Sequence, residues 1–213
     1  ATGSLAYTPV SNANGSAVIT VTVTDDGGTA NSGVNSTTRT FTVTVTAVND
    51  EPSFSKGSDI TVLEDSGTST TANWATSISA GPSNESSQSL TFNVSNNNTS
   101  LFSSAPSVNS SGTLTFTSAT DANGSATVTV SLSDNGGTSN GGDNISPNQT
   151  FTITVTAVND EPSFTKGSDI TVNEDSGAST TATWATSISA GPSNESSQSL
   201  TFNVSNDNTS LFS

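Results

Sequence analysis

The chain has 213 residues, of which 29% are hydrophobic and only 10% charged, and its 18 acids stand against three bases, giving a formal net charge of -15. Such a balance excludes a nucleic-acid partner, because phosphate binding requires clustered Lys and Arg. Cys, Met and His are absent, which excludes thiol chemistry, imidazole acid-base catalysis and the usual zinc or haem ligands, so that only oxygen is left to bind a metal.

Thr and Ser alternate with Val, Ile, Leu and Phe along most of the chain, a period-two pattern that fits half-buried strands and an all-β fold. Residues 1–50 carry "NANGSA", "TDDGGT" and "TFTVTVTAVND", and the same frame returns over 110–160 as "DANGSA", "SDNGGT" and "TFTITVTAVND". Val48 to Ser103 recurs as Val158 to Ser213 at a shift of 110, with differences at five residue pairs only: 55/165, 63/173, 68/178, 73/183 and 97/207. A period this long is wrong for a solenoid and suits an array of small β domains. The expected organisation is the C-terminal half of one repeat at 1–47, a complete repeat at 48–157, and the N-terminal half of the next at 158–213. This reads as a window on a longer array.

In chain order, the complete repeat predicts strands at about 58–63, 69–78, 89–95, 113–117, 126–133 and 149–158. Alternation points Ile60, Val62, Trp74, Ile78, Leu90, Phe92 and Val94 inward. Leu114, Phe116, Val128, Val130, Leu132, Phe151, Ile153 and Val155 follow from the same rule. Trp74 and its copy Trp184 read as core anchors between two sheets. The equivalent of residues 104–109, missing between the two halves, reads as a short loop.

If successive strands run antiparallel from pole to pole, the acids sort themselves. "LEDSG" carries Glu64 and Asp65, "TDANG" carries Asp121, and the last strand runs into Asn159, Asp160 and Glu161; all fall at one pole. The loops "AGPSNESSQ", with Glu85, and "SDNGGTSNGGDN", with Asp134 and Asp143, fall at the other, facing the preceding repeat. Two carboxylates about 4 Å apart repel by roughly 4 kcal/mol at an effective dielectric near 20, so acids gathered at a joint call for a cation. Calcium takes six to eight oxygens in irregular geometry and suits such a cage better than magnesium. The plainer alternative is a solvated acidic surface. "DDGG" at Asp25 and "DNGG" at Asp134 read equally well as tight turns or as a second metal site.

"TAVNDEPSF" resembles the "xVNDNxPxF" linker of cadherin-type domains. Together with "ITVNEDSG", "ISAGPSNES", "DANGSATVTV" and "SDNGG", it makes essentially the whole chain similar to the tandem cadherin-like or immunoglobulin-like repeats of large bacterial surface and secreted adhesins. The resemblance implies tandem Greek-key β-sandwich domains of about 110 residues and interdomain calcium. Carried over by position, it implies Glu64, Asp65, Asp121, Asn159 and Asp160 as ligands at the second joint, and Asn49 and Asp50 at the first. The chain lacks the "LDRE" segment and "DxD" pair of animal cadherins, so one or two ions per joint are implied, with affinities of about 0.1–1 mM. Asn12 stands where the next repeat has Asp121, which weakens the first joint.

The expected protein is an extracellular, non-enzymatic stalk or filament for adhesion or biofilm, stiffened by calcium. Its expected partners are neighbouring repeats or identical chains in a fibre, with surface glycans a further class; no segment reads as a membrane span. Two other readings are a carbohydrate-binding module, which needs exposed aromatic side chains, and a fibre subunit that polymerises by strand complementation between chains.

Overall fold

The computed structural model describes residues 3–212, and among them it contains thirteen strands, five short 3-10 turns and no α-helix. The strands are β1 (Gly15–Thr24), β2 (Ser36–Val45), β3 (Ser53–Ser55), β4 (Ile60–Leu63), β5 (Thr68–Thr71), β6 (Thr76–Ser79) and β7 (Thr91–Asn96). They continue with β8 (Phe102–Val108), β9 (Leu114–Ser118), β10 (Gly124–Ser133), β11 (Gln149–Thr156), β12 (Ser163–Thr165) and β13 (Thr186–Ser189). The protein is all-β and sandwich-like. No helix among the described residues is long and apolar enough to cross a membrane.

The central repeat builds one sheet in the order β4-β11-β10-β7, a second in the order β5-β9-β8, and a separate short pair β3-β6. Their facing sides supply a single core: Leu114 and Phe116 from β9, Val128, Val130 and Leu132 from β10, and Phe151, Ile153 and Val155 from β11 are all buried. Every inward position expected from alternation lies in this core or packs against it. Trp74 is the expected anchor. Its indole N–H donates to the Ser58 carbonyl at 3.0 Å, and its ring lies 4.4 Å from that of Phe151. At Gly57 a Cβ would sit 2.6 Å from the Trp74 ring, so the chain can cross the indole only where it has no side chain.

Three expectations are corrected. The predicted strand at 69–78 breaks into β5 and β6, because Asn73 takes a positive φ of 54° and Ala75 N–H turns to bond the Gly112 carbonyl at 2.9 Å. Residues 102–108 form a strand, β8, so the segment missing between the two half repeats is mostly strand and not loop. β8 escaped the sequence reading because it is an edge strand containing Pro106, paired to β9 through two register shifts, and bulged edges do not keep a strict apolar alternation. The three-residue strand β3 was also missed, since so short a segment has no period to detect.

The half repeats are barer. β1 and β2 form an isolated hairpin, and β12 and β13 an isolated pair.

Candidate metal centre at the joint between repeats

Topology brings the acids of the second joint together. β4 runs parallel to β11 in the register Ile60↔Ile153 to Leu63↔Thr156, so the ends of these two strands lie side by side. One further ladder bond, Glu64 N–H to the Thr156 carbonyl at 3.0 Å, carries the pairing into the turn. β10 runs antiparallel to β11 with Gly124 opposite Val155, which sets the turn preceding β10 at the same pole.

The three carboxylates of Asp65, Asp121 and Asp160 therefore meet, with one oxygen of each within 4.8 Å of the others. Asp65 and Asp121 sit at positive φ, 55° and 54°, a conformation that aspartate accepts in tight turns. The backbone N–H of Asp121 donates to Asp65 Oδ1 at 3.3 Å, tying the two turns to each other. Asp160 is half-buried, and its Oδ2 is shielded from solvent without any hydrogen-bond partner. Burial first, and then the carboxylates of Asp121, Glu195, Asp65 and Glu64, push the Asp160 carboxyl above its ordinary value.

Two glutamates hold the linker backbone on either side. Glu64 is 2% exposed; its Oε1 accepts the Val158 N–H at 2.7 Å and its Oε2 accepts the Asn123 amide at 3.2 Å. From the following repeat, the buried Glu195 accepts the Asp160 N–H on Oε1 at 2.8 Å, and its Oε2 is left without a partner. At Gly191 a Cβ would come within 2.1 Å of that Oε2, so a side chain there would displace the glutamate. Asn159 points elsewhere: its Oδ1 accepts from Gln198 at 3.0 Å and its amide donates to the Asp160 carbonyl at 2.9 Å. Glu195 and Asn123 were absent from the expected set. The signal for Glu195 was available in its copy Glu85, placed by strand counting on the pole that faces the neighbouring repeat.

The first joint is built differently. Asn49 is enclosed by the long loop between β10 and β11: its amide donates to Asp134 Oδ1 at 3.0 Å, its Oδ1 accepts from Gln88 at 2.7 Å, and its carbonyl accepts the Asp143 N–H at 3.0 Å. Gly136 and Gly142 press on it so closely that a Cβ at Gly136 would overlap its side-chain amide. Asp50 N–H donates to Glu85 Oε1 at 3.0 Å, repeating the Asp160–Glu195 contact. Asn12 and Asp50 line one cleft there. Both Asp-Asn/Asp-Gly segments are turns: Asp25 and Asp134 each accept the N–H two residues on, at 2.9 and 2.8 Å.

No family model matches the chain, and no curated protein sequence matches it.

Proposed function

We propose that the chain is a run of tandem Greek-key, cadherin-like repeats from an extracellular adhesin or surface filament, and that a calcium ion seated at the joint holds successive repeats in an extended rod. The observation that supports this most is the convergence of Asp65, Asp121 and Asp160, which come from two turns and the linker, into one group of carboxylates. The donor set fits a hard cation: every available ligand is oxygen, and the Asp160 Oδ2 and Glu195 Oε2 lone pairs are buried without a hydrogen bond, a costly state unless a charge or proton meets them. Asp65, Asp121, Asp160 and Glu195 are the residues that would hold the ion.

A calcium ion held there would supply the positive charge that offsets the crowded carboxylates. The chain's own residues do the rest. Glu64 of one repeat grips the N–H of Val158, and Glu195 of the next grips the N–H of Asp160, so the linker is held two residues apart by groups belonging to both sides of the joint. Pro162 then limits the outgoing chain to extended backbone. A bend at this joint would have to break one of these bonds.

Trp74, 3% exposed, does not support the carbohydrate-module reading, which needs an exposed aromatic ring. Calcium titration by calorimetry, paired with small-angle scattering of the chain in calcium and in chelator, tests the proposal. The expected result is binding at about 0.1–1 mM and a larger maximum dimension with the ion. No binding heat together with an unchanged maximum dimension would overturn it.

A further inference from the structure

The linker before the central repeat, 47–54, and the linker after it, 157–164, are copies, yet the repeat holds them unequally. Five hydrogen bonds fix the incoming linker at two successive residues. The Asn49 amide donates to Asp134 Oδ1 at 3.0 Å and to the Asp143 carbonyl, and its Oδ1 accepts from the Gln88 amide at 2.7 Å. The Asn49 carbonyl accepts the Asp143 N–H at 3.0 Å, and the Asp50 N–H donates to Glu85 Oε1 at 3.0 Å. From the outgoing linker, one hydrogen bond reaches back to the central repeat among the described residues, the Val158 N–H to Glu64 Oε1 at 2.7 Å. Asp160 also faces Asp65 and Asp121 there, and without a cation these carboxylates repel.

The walls of the Asn49 seat are themselves braced. Asp134 Oδ1 also accepts the Gly136 N–H at 2.8 Å, Asn135 Oδ1 accepts the Ser89 N–H at 2.9 Å, and the Asp134 N–H donates to the Asn144 carbonyl at 3.1 Å. A Cβ at Gly136 would fall 1.7 Å from Asn49 Oδ1, and one at Gly142 3.0 Å from Asn49 Cβ, so the asparagine packs directly on two glycine backbones. All these groups lie within 49–144, inside the complete repeat. The second linker supplies a control. Asn159 and Asp160 keep the glutamine and glutamate contacts, with Gln198 and Glu195, but the described residues hold no copy of the β10–β11 loop for Asn159. Its amide turns to the Asp160 carbonyl and the residue is exposed, where Asn49 is half-buried.

We infer that Asn49 is a clasp that fixes the incoming linker to the repeat that follows it, with no ion, and leaves the pivot of each joint at the two residues before the asparagine, 47–48 and 157–158. Asn49 is then a positioning residue and not an ion ligand, its side-chain oxygen being taken by Gln88. Each repeat carries its own N-terminal linker as a rigid arm and swings on the repeat before it, the whole change of backbone angle falling on a few residues. An ion at Asp65, Asp121 and Asp160 would act across that pivot, the one stretch of the joint left for it to stiffen. The inference rests on reading 48–157 as one repeat of an array, but not on calcium, since no bond of the clasp involves the ion.

Pulsed electron spin resonance on the chain, which is otherwise free of Cys, measures both linkers against the same complete repeat. Spin labels at Glu51→Cys and Thr138→Cys report the incoming linker, and labels at Glu161→Cys and Thr127→Cys the outgoing one; all four side chains are exposed. In chelator the first pair should give one narrow distance and the second a broad spread. Calcium should narrow the second pair and leave the first as it was. Asn49→Ala should broaden the first pair in chelator while the second keeps its width, a change that a general loss of stability would not confine to one linker. Where Asn49→Ala fails to fold, Gln88→Ala, which removes one of the five bonds, should broaden the first pair. A first pair as broad as the second in the unsubstituted background, or one that stays narrow in both variants, overturns the inference. A second pair that calcium fails to narrow overturns the ion and not the clasp.

Discussion

Two acidic side chains at the second joint show how the same chemical group serves opposite ends. Glu64 is buried with both oxygens satisfied by the Val158 N–H and the Asn123 amide, which is what allows a carboxylate to lie inside a protein. Glu64→Ala leaves the Val158 N–H without its acceptor and should cost about 1–3 kcal/mol in urea unfolding, while Glu64→Gln keeps one acceptor and should cost less. Asp160 is the converse, a carboxylate crowded by four others with one oxygen unmet. Its raised proton affinity means that the folded chain keeps this proton at pH values where the unfolded chain has lost it. The contribution of the group to stability is therefore most favourable at low pH and declines as pH rises from its ordinary value of 3.8 through the raised value. In chelator, Asp160→Asn should raise the thermal midpoint at neutral pH, and that gain should vanish on acidification toward 3.8. In calcium the substitution would remove a ligand of the proposed ion, so its effect should change sign; the same sign in both solutions would contradict an ion at Asp160.

At the scale of the element, the repeat supplies its own control. Residues 60–63 and 91–96 are strands, yet 170–173 and 201–206, the same sequence but for Leu63/Asn173, are not. For 91–96 and 201–206 nothing local distinguishes the copies, so strand formation there is decided by the partner β10, which satisfies the backbone of β7 and covers its apolar side chains; β11 does the same for β4. Hydrogen exchange on the 213-residue segment by itself should find the amides of 91–96 strongly protected and those of 201–206 close to unprotected. The turn before β9 gives a second case. Gly112 has φ 81°, and a Cβ there would fall 2.0 Å from the Ala75 carbonyl oxygen. Gly112→Ala should thus cost well over the ~1 kcal/mol of a positive φ alone, because backbone must move; a chemical-denaturation curve reads the loss directly.

For the molecule as a whole, the two joints are not equivalent. The second gathers three aspartates, whereas the first sets Asp50 beside Glu85 and Asn12, with Asn49 committed to hydrogen bonds that close the long β10–β11 loop. The proposed calcium ion should therefore fill the second joint first. Asn12→Asp adds the carboxylate found at Asp121 and should strengthen binding at the first joint several-fold, visible as a second, tighter step in calorimetric titration. With a net charge of -15, the chain also repels itself along its length, so chelated scattering profiles should contract as salt is added.

The sequence by itself determined the strand class, the repeat, most of the core and the grouping of acids by pole. Each of these depends on periodicity, composition or strand counting, which are properties of the order of residues. Trp74, Phe116 and Val128 were legible because alternation reports which face a side chain takes. Only the tertiary structure decided which oxygens meet and which are already occupied: that Asn49 is enclosed by Gly136 and Gly142, that Glu195 reaches back to Asp160, and that Glu64 is spent on the linker N–H. It also decided that one sequence is strand in the central repeat and irregular in the half repeat. The physical reason is common to all of them. A hydrogen bond, a ligand cage and a β ladder each require partners distant in the chain, and folding alone brings those partners into reach.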